Sequence, residues 1–227
     1  GVRVVGDAAE YARRYDADGI DEILYLDVVA SLYGRNGLAE LLDETTRDVF
    51  TPVTAGGGIR SVEEARRLLM AGADKVAVNT AAIRRPALIT ELTEKFGSQA
   101  VVVQIDAKRK GNGWEAYCEG ARQATGKDAI AWAKEAVERG AGEILATSID
   151  REGTGSGFDL DFVAASDRLA IPLVLSGGFG CPEHAIEAAQ AGASGIAIAG
   201  ALHYGRVSLR DIRQALHAAH VPVRMAA

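Results

Sequence analysis

Long apolar runs are missing from this 227-residue chain. None approaches the roughly 20 residues a membrane-spanning helix needs, and nothing at its start reads as a secretory leader. Cysteine is scarce: Cys118 and Cys181 lie far apart without metal or redox spacing, so a reducing cytoplasm is the expected compartment. Positive charge is not in excess. The formal net charge of -6 speaks against a nucleic-acid surface, which needs clustered Lys and Arg. The four histidines, His184, His203, His217 and His220, show no metal spacing, and the last two read as helix surface. No Gly-Lys-Ser/Thr supports a nucleotide P-loop. The run Gly153-Thr154-Gly155-Ser156-Gly157 has Phe158 where a dinucleotide fingerprint needs its third Gly. No linker, low-complexity tract or charge run divides the chain, so residues 1–227 are expected to form one domain.

Apolar segments rich in Val and Ile are present, and they recur. Segments 22–29, 51–56, 75–79, 100–107, 143–149, 171–177 and 195–200 are almost continuously apolar, as parallel strands covered on both faces must be. Amphipathic helix patterns alternate with them, beginning at residues 7–17. In Ser61-Val62-Glu63-Glu64, Ser61 and Glu64 predict a capping box, and Val62, Ala65, Leu68 and Leu69 share one face. This alternation predicts an α/β fold around a parallel sheet.

The two halves of the chain repeat each other. Glu22-Ile23-Leu24 matches Glu143-Ile144-Leu145, Pro52 matches Pro172, Gly56 matches Gly177, and Ala71-Gly72-Ala73 matches Ala191-Gly192-Ala193, at an offset of 120 to 121 residues. Two half-barrels, about 1–97 and 98–227, predict a (βα)8 TIM barrel with two-fold internal symmetry. Eight helix patterns face only seven strands. By the offset, the counterpart of Asp106 lies some fifteen residues upstream of Gly1, so the first β-strand is expected to be absent from the chain.

In such a barrel, function belongs at the C-terminal strand ends. Small-residue turns fall there in pairs: Ala55-Gly56-Gly57-Gly58 with Val78-Asn79-Thr80, and Ser176-Gly177-Gly178 with Ala199-Gly200-Ala201. Glycine lets backbone N–H groups approach an anion, and duplication in both halves favours two phosphate sites facing each other. Carboxylates form a second constellation. Asp27, Asp106, Asp150 and Glu152 stand at or just past strand ends, where burial can tune them for proton transfer or where they cap loops. Asp106 stands out because it ends the apolar run Val101-Val102-Val103-Gln104-Ile105. Trp114 and Tyr117 read as packing or hairpin residues.

The stretches GADKVAVNTAAI, FGSQAVVVQIDAKR, RGAGEILATSIDREGT and SGFD closely resemble the cyclase subunit of imidazole glycerol phosphate synthase, essentially from Gly6 onward. The resemblance implies an ammonia-dependent cyclase and lyase of histidine biosynthesis. Such an enzyme acts on a phosphoribulosyl-formimino aminoimidazole carboxamide ribonucleotide, takes its ammonia from a partner glutaminase and uses no cofactor or metal. It further implies that Asp106 is one of two catalytic aspartates. Gly58, Asn79 and Thr80 would belong to one phosphate site, and Glu152, Gly153, Gly178, Ala199 and Gly200 to the other. Asp27 and Thr147 would lie near the ring-closing atoms, and Glu22, Lys75 and Glu143 would belong to a charged ammonia gate at the opposite barrel end. The family's other catalytic aspartate belongs to the absent first strand, so the 227 residues alone are expected to lack cyclase activity. Glu152 stands where an Asp is usual, and Gly200 where a Ser is usual. The stretch SLYGRNG is similar to cyclase-like paralogues with other acceptors. Three alternatives therefore stay open: such a paralogue, a non-catalytic barrel or scaffold, and the histidine-pathway sugar isomerase, which IDAKR and GAGEIL disfavour.

Overall fold

The computed structural model describes residues 6–27, 37–166 and 169–224. The sequence readings for residues 1–5, 28–29 and 31–36 lie outside this range. Nine strands form one sheet: β1 (Ile23–Leu26), β2 (Val53–Gly56), β3 (Lys75–Val78), β4 (Val101–Lys110), β5 (Gly113–Cys118), β6 (Gln123–Asp128), β7 (Glu143–Ser148), β8 (Leu173–Ser176) and β9 (Gly195–Ala197). Seven of them run parallel in the order β1-β2-β3-β4-β7-β8-β9 and curl into a nearly closed (βα)8-type barrel. Each of the seven apolar segments carries one of these strands. The helices are α1 (Ala8–Ala17), α2 (Gly37–Thr45), α3 (Val62–Met70), α4 (Thr80–Arg84), α5 (Ala87–Phe96), α6 (Ala129–Glu138), α7 (Leu160–Ala165), α8 (Pro182–Ala191), α9 (Gly200–His203) and α10 (Leu209–Ala218).

Period-two alternation sorts each strand's side chains into two compartments. Ile23, Val53, Val76, Val101, Val103, Ile105, Ile144, Leu173 and Leu175 point outward into one continuous apolar layer under the helices. Ala77, Val102 and Leu145 point inward and form a separate small cluster with Leu24, Leu26, Val174 and Ala197. That inner cluster fills the barrel as a sleeve about its axis. The helices meet the outer layer with apolar stripes; in α3, Ala65 and Leu68 are buried. Its N-terminus differs from the expected capping box. Ser61 accepts from the Glu64 N–H, but the Glu64 carboxylate reaches one residue further back, to the Arg60 N–H at 2.6 Å. A complete box forms instead between Ser208 and Asp211.

The internal repeat survives as paired hydrogen bonds. Ile23 N–H donates to Pro52 O and Ile144 N–H to Pro172 O, both at 2.9 Å. Asp74 N–H donates to Val53 O and Ser194 N–H to Leu173 O, both at 2.8 Å. One element breaks the symmetry. Beyond the mouth, β4 continues to Lys110 and turns back as the antiparallel pair β5–β6. Trp114 anchors this hairpin: it is buried, its Nε1–H donates to Asp159 at 2.7 Å, and the Arg109 guanidinium lies 4.2 Å from its ring centre. Asp150 caps the same region by accepting the Arg109 N–H at 2.7 Å.

Among the described residues, β1 pairs only with β2 and β9 only with β8. The helix ring closes between them. Tyr11 Oη donates to His203 O at 3.2 Å, Tyr15 Oη lies 2.5 Å from His203 Nδ1, and Arg213 bonds Gly19 O and Asp21. Burial keeps the Tyr15 phenol un-ionised, pushed up to about 12, and holds the His203 imidazole below its ordinary range, with Arg14 adding to the latter.

Ile144 is fully buried in the outer layer. Replacing Ile144 by Ala is expected to cost about 2–5 kcal/mol in urea unfolding, the range for an uncollapsed core cavity.

Candidate active site

The same alternation stacks three levels along the barrel axis, polar at each end and apolar between. At the N-terminal floor, Lys75 Nζ contacts Glu22 Oε2 at 2.7 Å and Glu143 Oε2 at 2.8 Å. Thr54 Oγ1 donates to the other oxygen of Glu22. Burial pulls the Lys75 ammonium down, but the bonds to Glu143 and Glu22 outweigh it and leave Lys75 above the ordinary lysine value. It is therefore a fixed cation. The three residues assigned to a charged gate do meet in one cluster; Thr54, which sequence reasoning missed, completes it. The apolar sleeve lies above.

At the C-terminal mouth a cavity of about 470 Å³ opens among Asp27, Gly58, Asn79, Thr80, Gln104 and Asp106. Gly57 has φ of +111°, and a Cβ there would lie 2.3 Å from Asp27 O, so the turn from β2 tolerates only glycine. Asn79 follows β3 at the N-cap position of α4 but makes no capping bond, while Gln104 and Asp106 are successive inward positions of β4.

Asp106 is only 5% exposed. Its carboxylate accepts from Asn79 Nδ2 at 2.9 Å and from Gln104 Nε2 at 3.0 Å. Burial raises its pKa above the usual aspartate value, the two side-chain donors and the nearby Ala121 backbone amide oppose the rise, and the Glu152 charge adds to it. A buried, raised carboxyl beside an open cavity can hold or release a proton there. Gln104 was also missed by sequence reasoning; its inward position two residues before Asp106 was the available signal.

The other assigned residues lie on the same barrel face but outside this cavity. Thr147 is level with Asp106 and Ser176 in the strand register. Glu152 stands beside Gly177, where a Cβ would lie 3.3 Å from Glu152 Oε2. Gly178 packs backbone-to-backbone on Gly157, its O accepting the Gly157 N–H at 2.8 Å. Gly153, Ala199 and Gly200 are exposed, the last two at the start of α9. Among the described residues, no group of three or more His, Cys, Asp or Glu side chains is arranged to hold a metal, and no helix is long and apolar enough to cross a membrane.

A two-fold-repeated (βα)8-type barrel with a buried carboxyl at its C-terminal mouth belongs to a class of folds in which that face carries function. Residues 1–208 match the histidine biosynthesis protein family, and the chain belongs to that family. Among its relatives is the imidazole glycerol phosphate synthase subunit HisF of Gluconacetobacter diazotrophicus, 49% identical over 98% of this chain and 87% of the relative. The subunit of the same name from Thermobifida fusca is 46% identical over 98% of this chain and 90% of its own length. That of Pyrococcus furiosus is 44% identical over 99% and 90%.

The raised Asp106 carboxyl has a consequence for stability. Below the ordinary aspartate value of 3.8 both folded and unfolded states carry the proton. As pH rises through the window up to the folded value, the unfolded chain ionises first, and stability falls. Asp106→Asn removes that decline, and Asn79 can rotate its Oδ1, buried and without a donor, toward the new amide. The variant is expected to be more stable than the unmodified protein at neutral pH, with the gap opening above pH 3.8 in urea titrations. Parallel pH profiles would contradict this.

Proposed function

We propose that the chain is the cyclase subunit of imidazole glycerol phosphate synthase. In that role it joins ammonia to a phosphoribulosyl-formimino aminoimidazole carboxamide ribonucleotide and releases imidazole glycerol phosphate and an aminoimidazole carboxamide ribotide. One observation carries the reading beyond family membership. A single barrel axis holds a charged floor of Glu22, Lys75 and Glu143 at one end and the buried Asp106 over an open cavity at the other.

Ring closure needs protons taken from the attacking nitrogen and given to the departing groups. Asp106 serves as a proton acceptor and donor at the cavity wall; Asn79 and Gln104 fix its two oxygens. The glycine turn at Gly57–Gly58 and the Asn79–Thr80 corner offer backbone N–H groups to one substrate phosphate. The group from Glu152 to Gly178, with Ala199–Gly200, takes the other. Asp27 and Thr147 flank the ring-closing atoms. The floor faces a glutaminase subunit, and ammonia enters past Lys75, whose raised pKa makes it a poor proton donor, so it does not trap ammonia as ammonium. Such an enzyme works in the cytoplasm.

The full-length protein, assayed with an ammonium salt and the bis-phosphorylated ribonucleotide, should form imidazole glycerol phosphate. Asp106→Asn should lower kcat by about 100- to 10,000-fold, the usual range for losing a general acid or base. Isomerisation of a sugar precursor without ring closure would overturn the reading. With the glutaminase added, Lys75→Met should reduce glutamine-driven turnover more than ammonium-driven turnover. Equal losses would remove the gate from the account.

A further inference from the structure

Three successive residues at the tip of the β5–β6 hairpin, Glu119, Gly120 and Ala121, have φ of +53°, +62° and +64°. Two of the three are not glycine. Such a run persists only where its surroundings hold it, and it recurs where strain serves a site. Here the surroundings are the site itself. The Glu119 N–H donates to Thr80 Oγ1 at 2.9 Å, and the Ala121 backbone amide lies near enough to the Asp106 carboxylate to favour its ionised form. Glu119 and Gly120 line the same cavity as Asp27 and Asn79. The tip is thus a piece of cavity wall supplied by the second half-barrel, resting on the Asn79–Thr80 corner of the first.

One side chain, itself at the cavity wall, ties the two together. Arg84, the last residue of α4, places Nη2 2.7 Å from Glu119 Oε1 and 3.3 Å from Gln123 Oε1. Glu119 is 19% exposed and Arg84 57%, so the pair is shielded on one side only. The α4 helix starts at Thr80, so a single short helix carries both ends of the connection. We propose that Arg84 is a positioning residue for the cyclisation, clamping the hairpin tip so that the Glu119 N–H holds Thr80 and the tip backbone keeps its place in the cavity wall beside Asp106. This deepens, and rests on, the cyclase reading. The strained tip and the clamp oppose each other, so a modest loss at Arg84 changes how often the tip is seated. Arg84 need not touch substrate to act.

Amide hydrogen exchange by NMR and ammonium-driven turnover, measured together on the full-length protein, test this. Arg84→Met and Glu119→Gln should each speed exchange at the Glu119 amide by about two- to fivefold, the scale of a half-shielded ion pair. The kcat should fall by a similar factor, with KM for the bis-phosphorylated substrate and Tm nearly constant. The charge swap Arg84→Glu with Glu119→Arg should restore both amide protection and kcat. Unchanged exchange in Arg84→Met would overturn the clamp. A rise in KM alone, unrepaired by the swap, would overturn it in favour of direct substrate contact. If the unmodified protein gives no turnover, the cyclase reading fails and the role in cyclisation with it. Amide exchange would still decide whether the clamp exists.

Discussion

Every functional feature of this barrel depends on the alternation of side chains along parallel strands whose two faces are both buried. Because successive residues point to opposite sides, positions 75, 77 and 79, positions 102, 104 and 106, and positions 143, 145 and 147 each form a line along the barrel interior. A slip of one residue would send Lys75, Gln104 and Asp106 into the apolar layer beneath the helices and bring Val76 and Ile105 inside. The outer layer prevents that slip, since Val76, Val101, Val103, Ile105 and Ile144 are almost wholly buried in it. Packing on the outside therefore sets the register of the chemistry on the inside.

The polar levels at the two ends of the axis are handled differently. At the floor, two carboxylates share one ammonium at short distance, and Thr54 satisfies a further oxygen, so each carboxylate has a cationic partner. At the mouth, the donors to Asp106 among the described residues are the neutral amides of Asn79 and Gln104, and the nearby Glu152 carries the same sign. Neutral hydrogen bonds offset part of the desolvation of a carboxylate but not all of it. That residual cost disfavours the ionised form and makes proton exchange at the cavity wall accessible. Floor and mouth use the same residue type for opposite ends: one to hold a fixed cation, the other to keep a carboxyl poised.

Much of this was legible in the sequence, for identifiable reasons. Buried parallel strands read as continuous Val and Ile runs, so all seven were recognisable, although several are shorter than the apolar segments that contain them. The repeat was legible because it lies in glycines and small residues such as Gly57 and Gly177, where backbone contact leaves little choice. Arg84–Glu119, Gln104–Asp106 and Thr54–Glu22 were not legible. Each is a side-chain pair whose partner is fixed by tertiary register rather than by a local pattern. The hairpin from Gly113 to Asp128 was only partly visible, since its polar second strand carries no apolar alternation. The choice made by Glu64, which bonds Arg60 rather than Ser61, turns on a difference of one residue in reach that propensity does not encode.

The two-fold repeat is kept where backbone does the work and abandoned where charge does. Glu22 and Glu143 are repeat equivalents and occupy equivalent places on the floor, yet the counterpart of their shared partner Lys75 is Gly195. A second lysine there would meet the Val174 side chain, since even a Cβ at Gly195 would stand 3.3 Å from Val174 Cγ2. It would also place two ammonium groups in one narrow lumen, where like charges are poorly screened. One lysine between two glutamates bonds both carboxylates, and Gly195 stands where a second lysine would fall. The same logic holds at the mouth, where the hairpin that reaches Asp106 and Thr80 belongs to the second half and bears on a corner made by the first. Symmetry of the scaffold supplies two similar halves; breaking it at Lys75 and at the hairpin gives the barrel a single axis with distinct ends.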